Sequence, residues 1–464
     1  MDDTLEWSEW WLPGKPETRV KGGLTFDPAE GASLTLLETL PELRGSGFHA
    51  EALLGQGFDG TALTLLYPSL TGTFNRMSPA GAWSRSTIVA PTLLRGDHIE
   101  DPEALIFKHA IVRFAGLRDA CLQQWPSEET GEWAPWVGPG LQARGANVDG
   151  GTLLFRQHED HTPGKYTKAS EIDIEVVISS EQALSLSDFD AQWLSPLEAL
   201  TILAARGPSA LQRFTFVVVD ANGAETPVAV HTQTPRLAPK LPDEYRPLVR
   251  FAALGAGAGD FIARWWRLYR ELGPAAEYLI AALSGEMFLE QKLFAEMSFV
   301  ESYHRELHNA PVLSKAQHKR NVKAMLAAVE DKAQAARYRD MLQNGLEQSA
   351  RERVLALIER THDTLPDVPG LNATLAKELV TTRNAIAHLS RSISKALEGA
   401  DLLYAVERLR LVIQVNLLLD LGLSRETVGS FVLMSYDRQV PIVDYREAQP
   451  PPVTRVAMDS SKES

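Results

Sequence analysis

Ile172, Ile174, Val176 and Ile178 alternate with Glu171, Asp173, Glu175 and Val177, which predicts a strand with one buried face. The same reading gives a strand pair, Thr18–Phe26 and Ser33–Leu40, around the turn-forming DPAEG, with further strands at Thr61–Leu66 and Ala104–Phe114. Phe214–Asp220, Ala221-Asn222-Gly223 and Pro227–Thr232 read as a hairpin, with Asn-Gly supplying the positive φ angles of a tight turn. Pro235, Pro239, Pro242 and Pro247 then interrupt the chain. Proline has no N–H for a ladder or a helix interior, so this stretch is the best linker candidate. Beyond it the apolar period becomes helical, with helices expected near 247–272, 274–309, 315–328, 331–362, 373–398 and 401–422. The tail, with Pro450–Pro452 and a closing DSSKES, reads as extended.

The pattern therefore predicts an α+β protein of two domains: a β-rich domain over 1–240, an all-helical domain over 246–435, and an extended tail over 436–464. A length of 464 residues agrees, being too long for one compact core. Hydrophobic residues at 44% and charged residues at 23% fit a globular chain. No long uncharged apolar run suggests a membrane span, and MDDTLEWSEWW lacks the basic start of a signal peptide, so a cytoplasmic location is expected. The single cysteine, Cys121, excludes an intramolecular disulfide and a multi-cysteine zinc site.

A net charge of −14 argues against a polyanionic partner until its distribution is considered. Residues 246–435 hold 24 Lys and Arg against 22 Asp and Glu, about +2; the remainder is about −16. The helical half is thus free of the acidity of the rest.

Within that half, TTRNAIAHLSR carries the clearest chemistry. Asn372 is a plausible N-cap and Gly399 a plausible stop for one helix over 373–398. With Ile386 at zero on a helical wheel, Leu375, Leu379, Leu389, Ile393 and Leu397 fall within about 60° and define the core face. Asn384, His388, Arg391, Lys395 and Lys377 fall at about 140° to 200° and form a polar, mostly basic stripe opposite the core. Arg383 sits near 60°, at the boundary, so its side chain must curl to act with His388. Histidine exchanges a proton near neutral pH, and arginine stabilises the growing charge of a phosphorane-like transition state. Asn384 lies one turn from His388 and can orient it or a phosphate oxygen.

The segment Arg383-Asn384-Ala-Ile-Ala-His388 resembles the signature of HEPN domains: an arginine, a polar neighbour and a histidine a few positions on. FIARWWRLYR and LFAEMSFVESYHREL resemble the ApeA-like branch of that group, and WWLPGKPETRVKGGLTF, LLGQGFDGTALTLL and QWLSPLEALTIL resemble the ApeA N-terminal domain. The resemblance implies a HEPN helical bundle with metal-independent endoribonuclease activity, Arg383, Asn384 and His388 as site residues, and no cofactor. It further implies an anti-phage role, RNA and in particular tRNA as substrate, 2′,3′-cyclic phosphate and 5′-hydroxyl ends, a homodimer that pairs the signature helices, and a phage-derived trigger sensed by the N-terminal domain. Lys377, Arg391 and Lys395 are added from the wheel as RNA or dimer contacts. A non-catalytic HEPN module that binds RNA or a protein is the alternative.

Other constellations compete. Glu301 with His304, and Glu359 with His362, repeat the Glu-x-x-His pattern of di-iron bundles. Gly55-Gln-Gly57-Phe-Asp-Gly60 fits a dinucleotide fingerprint but precedes strand-like TALTLL, so it is expected to be a turn. His158-Glu-Asp-His161 is expected in a loop, and Lys315, His318, Lys319, Arg320 and Lys323 form a basic run.

Overall fold

The computed structural model describes residues 5–41, 50–78, 81–121, 124–126, 133–135, 144–163, 168–207, 209–219, 225–233, 247–251, 253–284, 287–308, 313–342, 347–388 and 396–436. These form two compact units, Met1–Glu286 and Met287–Ser464. The division falls after the helices 258–284 rather than at the proline-spaced stretch.

The first unit is built on antiparallel strands: β1 (Glu6–Trp11), β2 (Val20–Asp27), β3 (Gly31–Leu36), β4 (Ala52–Gly57), β5 (Ala62–Leu66), β6 (Ser69–Ser78), β7 (Gly81–Ala90), β8 (Thr92–Arg95) and β9 (Ile106–Phe114). After α1 (Leu117–Cys121) and a small pair, β10 (Gln124–Pro126) with β11 (Trp133–Pro135), come β12 (Arg144–Val148), β13 (Gly151–Pro163) and β14 (Lys168–Ser185). Then follow α2 (Leu186–Phe189), a π turn over Asp190–Leu194, α3 (Ser195–Ala205), β15 (Leu211–Val219) and β16 (Glu225–Thr232). Apart from β10 and β11, the strands form a sheet in the order β12-β13-β14-β9-β15-β16-β8-β5-β4-β1-β2-β3-β7-β6. The alternation around Ile174 is realised in β14: Ile174, Val176 and Ile178 are buried. Trp10, Leu24, Leu34, Leu36, Leu53, Leu63, Leu65 and Ile88 form a core cluster among the first eight strands.

Gly55 and Gly60 are structural, as the turn reading expects. A Cβ on Gly55 would meet the Trp10 ring at 2.6 Å, and Gly60 has φ +89° in the hairpin between β4 and β5. His158 is on strand β13, not in a loop, because β13 continues to Pro163 against β14. The predicted hairpin is present as β15 paired with β16, though Ala221-Asn222-Gly223 lies outside the described residues.

Two helices, α4 (Ala258–Leu272) and α5 (Ala275–Ser284), complete this unit. The α4 tryptophans are fully buried, and their indole N–H groups donate to α3 and the π turn: Trp265 to the Pro196 carbonyl (2.8 Å) and Trp266 to the Gln192 carbonyl (3.3 Å).

The second unit is helical: α6 (Leu289–Leu307), α7 (Lys315–Ala327), α8 (Lys332–Leu342), α9 (Ala350–His362), α10 (Ala373–Ala387), α11 (Gly399–Asp420) and α12 (Arg425–Tyr436). Among the described residues no helix is long and apolar enough to cross a membrane. Three expected helices are corrected. The span 274–309 is split into α5 and α6, and 331–362 into α8 and α9. The α9 start is set locally, since Ser349 and Glu352 form a reciprocal capping box.

The span 373–398 is not one helix either. A continuous helix would separate residues 382 and 397 by about 22 Å. Instead the Leu397 N–H donates to Thr382 Oγ1 at 3.0 Å, so the chain folds back after α10. Gly399, expected to stop that helix, has φ +56° and opens α11.

Candidate functional site

Helix α10 begins at Asn372, whose Oδ1 accepts from the N–H groups of Thr374 (2.9 Å) and Leu375 (3.3 Å). Leu375, Ala376, Leu379 and Thr382 are its buried face, against α6 and α9. His388 closes it as the C-cap, donating its backbone N–H to the Asn384 carbonyl, and is exposed. Asn384 is half-buried one turn away, and Lys377 is exposed two turns earlier. Arg391 and Lys395 lie outside the described residues, as do Leu389 and Ile393 of the expected core face.

The boundary position of Arg383 resolves in two directions. Nη2 pairs with Glu301 Oε1 of α6 at 2.6 Å, while Nη1 donates to Asn384 Oδ1 at 3.0 Å. The guanidinium thus curls toward its neighbour on the polar stripe, with a carboxylate holding its other edge. Its side chain is 26% exposed, so an incoming anion can still reach it.

Glu301 is fixed in turn. Its carbonyl accepts from Arg353 Nη1 of α9 (3.3 Å), and Arg353 Nη2 pairs with Glu347 at 2.7 Å. A cleft of about 630 Å³ opens here, lined by Glu301, Arg305, Met341, Glu347 and Arg353. His304, one turn further along α6, is 3% exposed and its Nδ1 has no hydrogen-bond partner. Burial, aided by His308 and Arg353, lowers its pKa to about 4 and keeps the ring neutral.

The end of the bundle beyond His304 holds a polar network that sequence reading missed. Asp420 Oδ2 accepts from the Tyr303 hydroxyl and lies 2.9 Å from His308 Nε2. Asp420 Oδ1 pairs with Arg360 Nη2 at 2.6 Å. Although burial raises the Asp420 carboxyl, hydrogen bonds from His308, Arg360 and Tyr303 outweigh it and leave the pKa at about 2. Asn416 anchors the network by donating to the Leu357 and Val412 carbonyls and to Thr361 Oγ1. Its members come from the end of α6, from α9 and from α11, stretches far apart in the chain, so no local motif announced it.

The two Glu-x-x-His pairs do not face a common centre: His304 is buried, whereas Glu359 and His362 are exposed on α9. The di-iron arrangement needs both pairs directed inward, so these residues do not fit it. Cys121 is buried, and burial pushes its thiol well above the ordinary range, which suits packing rather than nucleophilic attack.

Residues 295–427 match the Apea-like HEPN family model, a span that contains Glu301, Arg383, Asn384 and His388. Residues 8–119 match ApeA N-terminal domain 1, covering β1 to α1 up to Asp119. No curated protein and no solved structure matches the chain. Carrying an ApeA N-terminal domain and an Apea-like HEPN domain on one polypeptide, the chain belongs to the ApeA-like HEPN family.

Proposed function

We propose that the helical unit is a metal-independent endoribonuclease and that the chain acts in anti-phage defence, cutting RNA, in particular tRNA, so that translation stops. The observation that carries this reading is the end of α10: an exposed His388 one turn from Asn384, with Arg383 bridged onto Asn384, inside the segment that matches the HEPN model.

His388 takes the proton of the RNA 2′-OH, the 2′ oxygen bonds to phosphorus, and the bond from phosphorus to the 5′ oxygen breaks. A proton returned to that oxygen completes a 5′-hydroxyl, leaving a 2′,3′-cyclic phosphate. Arg383 places its positive charge on the phosphoryl oxygens as negative charge accumulates there, and Asn384 orients the guanidinium. A second copy of the chain supplies the facing Arg383 and His388 of a composite cleft, with exposed Lys377, and Arg391 and Lys395, as RNA or dimer contacts. The N-terminal unit senses a phage-derived trigger.

The pairing of Arg383 with Glu301 favours one alternative, a HEPN module that holds RNA without cutting it. Incubating the full chain with tRNA in EDTA and analysing the fragment ends separates the two. Cyclic-phosphate and 5′-hydroxyl ends support the nuclease, and intact RNA that stays bound supports the module.

A further inference from the structure

Helices α7 and α8 differ from the rest of the second unit in burying no residue. The two helices touch each other, and over 315–342 only His318, Val322 and Leu326 of α7, Val329 of the connection, and Ala335 and Leu342 of α8 are half-buried. A helix pair with so little apolar burial gains little from tertiary packing, so its sequence is shaped by what it presents outward.

What it presents is positive charge. Residues 315–342 hold seven Lys and Arg against three Asp and Glu. Lys315, Lys319, Arg320, Lys323, Lys332, Arg337 and Arg339 are all exposed. Among the described residues none of the seven makes an ion pair, whereas Arg353, Arg360, Arg383 and Arg410 in the bundle are each paired. Lys315, Lys319 and Lys323 stand on one side of α7 at steps of four residues, about 6 Å apart along the axis. A row of unpaired cations at that step suits successive phosphates on one strand. Tyr338 on α8 is exposed at 43%, an aromatic face on which a base can stack. At the end of α8, Met341 lines the same cleft as Glu301, the residue that holds Arg383.

We propose that the α7–α8 hairpin is an RNA-binding arm that grips the sugar–phosphate backbone of a strand whose scissile bond lies at α10. The inference rests on the nuclease reading for the identity of the strand, but the binding it asserts is measured without cleavage. Charge of one sign along one axis, left unpaired, favours a regular polyanion over a protein surface of mixed charge.

The test uses the full chain carrying His388→Ala, so that RNA survives, with and without Lys315→Ala, Lys319→Ala, Arg320→Ala and Lys323→Ala together. These side chains are exposed and alanine favours a helix, so folding is retained and is checked by circular dichroism. Binding of single-stranded RNA is titrated over a range of salt. Each lost phosphate contact removes about 0.7 from the slope of log K against log salt. The expected result is a slope shallower by about 2 to 3, with the corresponding Lys315→Arg, Lys319→Arg and Lys323→Arg variant keeping the original slope. Equal affinity and slope in the alanine variant overturn the proposal, as does a change confined to self-association with RNA binding unaltered. If the variant loses RNA while wild-type protein never cuts it, the nuclease reading fails and the arm stands. If the alanine variant still binds RNA while the wild-type protein cuts it, the arm fails alone.

Discussion

Arg383 Nη2 lies 2.6 Å from Glu301 Oε1, so Arg383 of α10 is held by a carboxylate of the neighbouring α6. In the proposed nuclease that carboxylate competes with RNA phosphate for the same guanidinium edge. Both side chains are partly exposed, which limits the pair to about 1 kcal/mol or less. Glu301→Gln is therefore expected to tighten RNA binding about threefold to fivefold, read as a lower KM, with little change in stability. A rise in KM would instead show that Glu301 aligns Arg383 for the reaction.

Asp420 is the shared acceptor for Tyr303, His308 and Arg360. Asp420→Asn removes the charge that those three groups surround. The expected loss is about 2 to 3 kcal/mol of stability, measured by urea denaturation. An unchanged urea midpoint would mean that the network contributes nothing to the bundle.

Acid should loosen the helical unit in two stages. His304 has a folded pKa of about 4, below its ordinary 6.5, so the unfolded chain takes up a proton there that the folded chain refuses. Its contribution is complete above pH 6.5 and falls as pH drops toward 4, by on the order of 1 to 3 kcal/mol after allowing for screening by water. Asp420, lowered from 3.8 to about 2, adds a second loss between those values. Buried Glu296, raised to about 7, acts in the opposite sense over the same range in both chains, so the His304 contribution is read as a difference: between pH 7.5 and 4 the wild-type chain should lose stability relative to His304→Gln. Parallel curves would assign the first stage to other groups.

Cys121 is buried with its thiol pushed far up, so iodoacetamide should leave it unmodified in the native protein and label it only on unfolding. Rapid stoichiometric labelling under native conditions would contradict that burial.

The sequence made the elements legible where a local pattern reports them. The alternation of Ile174 and Val176 located β14, the DPAEG turn placed β2 beside β3, and Asn372 marked the start of α10. The end of α10 is not legible, because Leu389, Ile393 and Leu397 continue the apolar period past His388. Only the Leu397 contact to Thr382 reveals the reversal. Periodicity also finds α4 without showing that Trp265 bonds to α3 and Trp266 to the π turn, because an apolar stripe does not name its partner. The helical wheel puts Asn384 and His388 on one side of the helix and Arg383 off that line. Its tether Glu301, and the network around Asp420, depend on residues far apart in the chain that no motif connects.

His388 stands exposed at the C-cap of α10, without a packing role that would confound its removal. RNA cleavage by wild-type and His388→Ala chains, compared in EDTA with matched circular dichroism, is the decisive measurement. Loss of about 10²-fold to 10⁴-fold in rate is the predicted result. Cleavage by the folded variant at the wild-type rate would contradict the central claim.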